Sequence, residues 1–179
     1  MRSILTSVAV FVLVFVPVTA AHAQTPIPPD IKTKMSGYVG TWEVEEWVKE
    51  SPSGPEVVQT GMWEARWAFD AFIEWRGNMT SDGKTTTNVE FEGYDPLMQG
   101  FTFWFGSDGS RGEAYDGEWD GNTLTIQLIE HTADGQSHRG RCIWPYSADF
   151  AQIQDYHCEK LTDGEWWVFR RGSSTKAAG

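Results

Sequence analysis

Residues 72–95 read FIEWRGNMTSDGKTTTNVEFEGYD, and this stretch decides the fold. An Asp82-Gly83 pair separates two segments in which residue character alternates at every second position. In the first, Ile73 and Trp75 alternate with Glu74 and Arg76; in the second, Val89, Phe91 and Gly93 alternate with Glu90, Glu92 and Tyr94. A period of two is that of a strand, whose successive side chains leave opposite faces. Asp and Gly accept the positive φ of a tight connection, so the pair between the segments predicts a hairpin.

The same punctuation recurs in both directions, at Ser53-Gly54-Pro55, Asp95-Pro96, Asp108-Gly109, Asp120-Gly121, Asp134-Gly135 and Asp163-Gly164, with Asp70-Ala71 as a further bend. Between these turns the sequence predicts about ten strands, near 39–50, 56–69, 72–80, 84–94, 100–106, 111–119, 122–131, 136–145, 150–160 and 164–171. Such regular spacing belongs to a sandwich or a barrel. A sheet this long has exposed edges unless it closes, and ten strands exceed the roughly eight whose side chains just fill a barrel. The expectation is an all-β, antiparallel up-and-down barrel of about ten strands with an internal cavity.

The N-terminus is of another kind. Arg2 precedes an apolar run from Ile4 to Val18, and Ala21 and Ala23 follow in small-x-small spacing. At about 15 residues the run is shorter than the roughly 20 that cross a bilayer, and no Cys follows it to take a lipid. Residues 1–23 are therefore read as a signal peptide cleaved after Ala23, which places the mature chain in the periplasm or outside the cell. Residues 24–36 form a proline-rich leader and a short helix over Ile31–Ser36, begun by Asp30; 37–172 is the barrel domain and 173–179 a flexible tail.

Twenty-five acidic against 14 basic residues give a net charge of −11. Phosphate binding needs a basic footprint, so nucleic acid is excluded as a partner, and the acidity is read as solubility. Cys142 and Cys158 both lie in the exported part, where two cysteines make one disulfide more readily than a Zn site. The turns test that pairing. A two-residue turn at Asp163-Gly164 sets Cys158 opposite Phe169 and Glu159 opposite Val168. Cys142 faces Cys158 if the preceding loop centres near Phe150, which also pairs Trp144 with Tyr156 and Ile143 with His157. One bulge would flip the faces.

Two stretches carry a resemblance. Gly40-Thr41-Trp42-Glu43 resembles the Gly-x-Trp opening of lipocalin-like barrels, in which the Trp closes one end and a late basic residue packs over it. The resemblance gives that role to Arg170 or Arg171, an Arg over an indole being a favourable cation–π contact. Glu64-Ala65-Arg66-Trp67, Gly93-Tyr94-Asp95-Pro96 and Gly121-Asn122-Thr123-Leu124-Thr125 are similar to a largely uncharacterised family of bacterial lipocalin-like (calycin-type) proteins. It covers roughly residues 37–171 and implies the fold rather than an activity, since the family has no agreed catalytic motif.

Chemistry is harder to find. An Asp134-Gly135 turn sets His131 opposite His138 near a rim, read first as a surface pair and second as two ligands or a proton relay. The rows holding Glu64, Arg66, Glu74, Arg76, Glu90 and Glu92 have two arrangements open to them. Facing water is the commoner; facing inward would bury Glu64, Arg66, Arg76 and Glu90 as a charged cluster and mark a site. No Gly-x-Ser-x-Gly and no Gly-rich phosphate loop occurs. Ten Trp, ten Phe and five Tyr remain, shared between a Trp-rich core and pocket walls such as Trp63, Trp67, Trp75, Trp104, Trp119 and Trp144.

The first functional reading is an exported barrel that binds a small hydrophobic or aromatic molecule, with Trp67, Trp104 and Trp119 as walls and Arg66 or Arg76 at a polar end. The second is a cofactor-free isomerase, lyase or hydrolase using Glu90, Tyr94, His131 or Arg66 in the same cavity. The third is an envelope protein that binds a partner through an exposed aromatic patch on its outer wall. None of the three implies a metal or cofactor, and oligomeric state is left open.

Overall fold

Asp82-Gly83 and Asp163-Gly164 adopt positive φ at both residues, so each closes a two-residue hairpin as their chemistry requires. A third such hairpin has no Gly. Phe69 and Asp70 turn with φ of 56° and 54°, one residue earlier than the Asp70-Ala71 bend, and Phe69 is left 95% exposed at the tip.

The computed structural model describes residues 26–96, 99–107 and 110–178. The leader 1–23 and the Asp108-Gly109 turn lie outside the described residues. A helix, α1 (Pro29–Gly37), precedes ten strands: β1 (Gly40–Val48), β2 (Val57–Ala68), β3 (Phe72–Ser81), β4 (Lys84–Asp95), β5 (Gly100–Ser107), β6 (Ser110–Asp120), β7 (Thr123–Thr132), β8 (Ser137–Pro145), β9 (Gln152–Thr162) and β10 (Glu165–Lys176). Each strand pairs antiparallel with the next, and β10 pairs with β1 to close the barrel. Closure removes both sheet edges.

β10 runs to Lys176, so most of the stretch expected as a free tail is the closing seam; Ser174 pairs with Val44 and Lys176 with Trp42. Lys176 Nζ lies 5.4 Å from the centre of the Trp42 ring. The basic residue over this indole is thus Lys176. Arg170 and Arg171 are drawn elsewhere, to Glu46 and Glu56.

Helix α1 covers one end of the barrel. Met35 and the following Tyr38 are fully buried, Lys34 donates to the Gly121 carbonyl at 2.9 Å, and Lys32 reaches Asp70. Beneath the helix the rings of Tyr38, Trp42, Trp75, Trp119, Tyr146 and Phe150 pack with centroids 5.4–6.5 Å apart. Rings at these separations add to the burial of apolar area that drives folding. Among the described residues no helix lies over the connections 82–83, 133–136 and 163–164 at the other end.

Cys142 and Cys158 are directly paired and disulfide-bonded, with Ile143 opposite His157 as the register requires. Val168 faces Glu159 as expected, but Cys158 faces Arg170 instead of Phe169, because β10 bulges between Val168 and Arg170.

Candidate functional site

Alternation sorts the polar rows in two directions. On β2 and β3 the aromatic row is inside: Trp63, Ala65, Ile73 and Trp75 face the lumen or the core, while Glu64, Arg66 and Arg76 are exposed on the outer wall. Glu74 is on that outer wall too, covered by the Arg66 and Arg76 guanidiniums, which donate to it at 2.8 and 2.7 Å. Those two hydrogen bonds hold its carboxyl below the usual range. On β4 the order is reversed. Glu90 and Glu92 face the lumen, and Phe91 faces out against Trp104, itself 42% exposed.

Two chambers with shared lining residues occupy the interior. The inner one, about 90 Å³, is walled by Trp42, Trp63, Trp75, Trp144, Tyr146 and Tyr156 and carries Glu46, Glu90, Glu92 and Arg170. The second, about 70 Å³, lies toward the uncovered end among Asn88, Phe105, Leu128, Glu130 and Phe169. Glu90, Phe103, Trp144 and Arg170 border both. Each volume is several times the ~10–15 Å³ that admits one water.

Gly77 makes part of this possible. A Cβ there would sit 2.3 Å from the Trp63 indole, so only glycine lets that ring lie against β3.

The buried carboxylates differ in their partners. Tyr156 donates to Glu46 at 2.7 Å, and Arg170 Nε lies 3.7 Å from the same carboxylate. Tyr38 donates to Glu92, as does Trp75. Among the described residues no hydrogen bond reaches Glu90. Burial pushes both Glu90 and Glu92 up to about 7; Arg170 opposes the rise at Glu90, and the Tyr38 and Trp75 donors oppose it at Glu92. Burial likewise raises the Tyr38, Tyr146 and Tyr156 phenols, keeping them as neutral donors. Glu46 above all keeps Arg170 charged. The Arg170 side chain retains 39% of its surface and borders both chambers. Its Nε is one of two buried side-chain nitrogens with no hydrogen-bond partner among the described residues, Trp119 Nε1 being the other.

Of the residues singled out from sequence, Glu90 lines the lumen, with Trp63, Trp75 and Trp144. Arg66, Arg76 and Trp104 are on the outer wall, because the alternation of their strands turns them away. Trp67 packs beneath Lys32, and Trp119 in the ring cluster beneath Lys34; both belong to the covered end rather than to the chamber walls. Tyr94 packs edge-on against Phe101 there. His131 bonds Ser137 at 2.9 Å near the uncovered end. The two imidazoles are not opposed: His131 pairs with Ser137 and His138 with Glu130, one position off the expected register. Among the described residues no three His, Cys, Asp or Glu side chains converge as a metal set, and no helix is long and apolar enough to cross a membrane.

The sequence reading gives Glu46 no role, leaves Glu92 out of the inward cluster and sets Arg170 over Trp42 rather than in the lumen. Glu46 was within reach, since Trp42, Val44 and Glu46 share one face of β1. Arg170 was not, because its direction depends on the bulge beside it.

No curated protein matches the chain. Among solved structures it is similar to "Crystal Structure of Rv2717c from M. tuberculosis", at 11% identity and a TM-score of 0.62 over 85% of this chain and 99% of that one. At that identity the likeness is one of fold. The family model described as "Protein of unknown function (DUF1579)" matches residues 28–171, from the covering helix into the last strand, and the chain belongs to this family.

Proposed function

We propose that the barrel binds a small molecule with an apolar or aromatic body in the chamber between Trp42, Trp63, Trp75 and Trp144. The observation that carries this reading is a lumen of about 90 Å³ that pairs indole walls with charged groups in a protein interior. Interiors otherwise avoid such groups, because each charge loses hydration on burial. The lining is more polar than that of a purely apolar pocket, so the ligand has a polar end as well as a ring or chain. Saturable quenching of Trp fluorescence by one of a panel of small aromatic and aliphatic molecules is expected. Val44→Phe, which fills the chamber from β1, abolishes it while circular dichroism stays unchanged. A panel without a saturable quencher, or quenching indifferent to Val44→Phe, overturns the reading.

A second reading, acid–base chemistry in the same chamber, is favoured by one observation. Glu90 has its carboxyl raised to about 7, where it both gives and takes a proton near neutrality. Turnover of a bound metabolite that disappears in Glu90→Gln while binding persists would establish it; binding without turnover leaves a carrier.

Both readings place the chain outside the cytoplasm. The cleavable pattern of residues 1–23 and the Cys142–Cys158 disulfide support that placement.

A further inference from the structure

We propose that the molecule held in the inner chamber is a small organic cation, an ammonium group carried on an apolar or aromatic body. This rests on the binding reading above and names its ligand class. Charge is the first ground. Three carboxylates, Glu46, Glu90 and Glu92, face the chamber against one cation, Arg170, which is drawn to Glu46 at 3.7 Å. Glu90 shares Arg170 with Glu46, and no cation acts on Glu92. Two residues apart on one face of β4, Glu90 and Glu92 are separated by ~7 Å of strand, enough for an ammonium group to meet both.

The rings are the second ground. Trp42, Trp47, Trp67, Trp119 and Trp166 each have a Lys or Arg over the indole, at 4.7–5.5 Å. Among the described residues no side-chain cation lies over Trp63, Trp75 or Trp144, the other three indoles that line the chamber. Trp75 stacks on Tyr38 on one side and Trp63 lies against Gly77, so what they and Trp144 offer a cation from outside the chain is the surface that lines the chamber, where desolvation makes such a contact stronger than it is in water.

The third ground is what the cluster is not. Among the described residues the carboxylates do not converge as a metal set. A carboxylate ligand would gain Arg170 but meet Glu46 and Glu90 beside it, at a cost in like-charge repulsion.

Proton uptake and release supply an independent signature. Glu90 faces Arg170, Glu92 and Glu46; Glu92 faces the Tyr38 phenol and the Trp75 indole, with Tyr146 nearby. An ammonium beside the two glutamates favours their ionised forms, so binding near neutral pH expels protons.

The test uses three matched probes on the full chain: phenethylamine, 2-phenylethanol and 3-phenylpropionate, titrated calorimetrically near pH 7 in two buffers of different ionisation enthalpy. The amine is expected to bind at least about tenfold more tightly than the alcohol, and the acid more weakly than either. The amine alone should release protons into the buffer. Glu90→Gln with Glu92→Gln keeps the shape and the acceptor for Tyr38; it should cut amine affinity about tenfold and leave the alcohol within about twofold. Proton release by the unmodified protein needs no variant, so a misfolded double substitution leaves the proposal open to refutation. Alcohol equal to amine, or the acid tightest, overturns the cation while keeping the pocket. No binding by any of the three, with a wider panel also failing, removes both.

Discussion

Glu90 and Glu92 make the stability of the barrel depend on pH in the direction opposite to that of an ion-paired carboxylate. In the unfolded chain a glutamate ionises near 4.5; in the folded barrel burial moves both to about 7. Between those values the native state binds more protons than the unfolded one, so stability falls as pH rises through the window and levels off above it. Each group contributes up to ~3 kcal/mol to that fall, the worth of a shift of about 2.5 pKa units. Chemical denaturation near pH 5 and pH 8 should show the unmodified protein losing stability at the higher pH. Glu90→Gln with Glu92→Gln should flatten the difference. Equal curves for the two proteins would show that the glutamates are not protonated in the folded barrel. Glu74 behaves in the opposite sense. Hydrogen bonds from Arg76 and Arg66 lower its pKa, so its contribution is present above the unfolded value and is lost only on acidification.

At the scale of elements, the hairpins are the part of the fold most directly written in the sequence. Asp82-Gly83 and Asp163-Gly164 turn where Asp-Gly chemistry demands, whereas Phe69-Asp70 turns without it, held by the strands on either side. The β8–β9 hairpin carries the only covalent link among the described residues. Cys142 and Cys158 are 16 positions apart in sequence, so bridging them limits the unfolded chain and stabilises the fold by roughly 3 kcal/mol. Replacing both with Ala should lower the free energy of unfolding by that amount without opening the barrel, since β8 and β9 remain paired through Gly140, Arg141 and Ile143. A loss of native dichroism instead would make the disulfide a condition of folding.

For the molecule as a whole, closure rests on the seam between β1 and β10. A chain stopped after Gly172 loses the partners of Trp42, Glu43, Val44 and Glu45, together with the Lys176 contact on Trp42. It should fail to fold cooperatively, as judged by near-ultraviolet dichroism and proteolysis, because an edge strand and the largest buried indole of the covered end are exposed together. A stop after Ala177 removes only Ala178 and Gly179, keeps the Ala177 N–H donating to the Thr41 carbonyl at 2.9 Å, and should be silent. If both truncations behave alike, the seam is not what closes the barrel.

The sequence by itself determined the strand count, the Asp82-Gly83 and Asp163-Gly164 turns, the presence of a short helix and the cysteine pair, because hairpins and period-two alternation are local. Only the tertiary structure decided which face is inside. The alternation on β2, β3 and β4 reads the same in each strand, yet it puts Arg66 and Arg76 outside and Glu90 and Glu92 inside, since the sheet must curl toward one face of each. The last step is the smallest. A one-residue bulge after Val168 swings Arg170 onto the face of Cys158 and so into the lumen; a bulge has no sequence period and appears only when two strands are laid side by side.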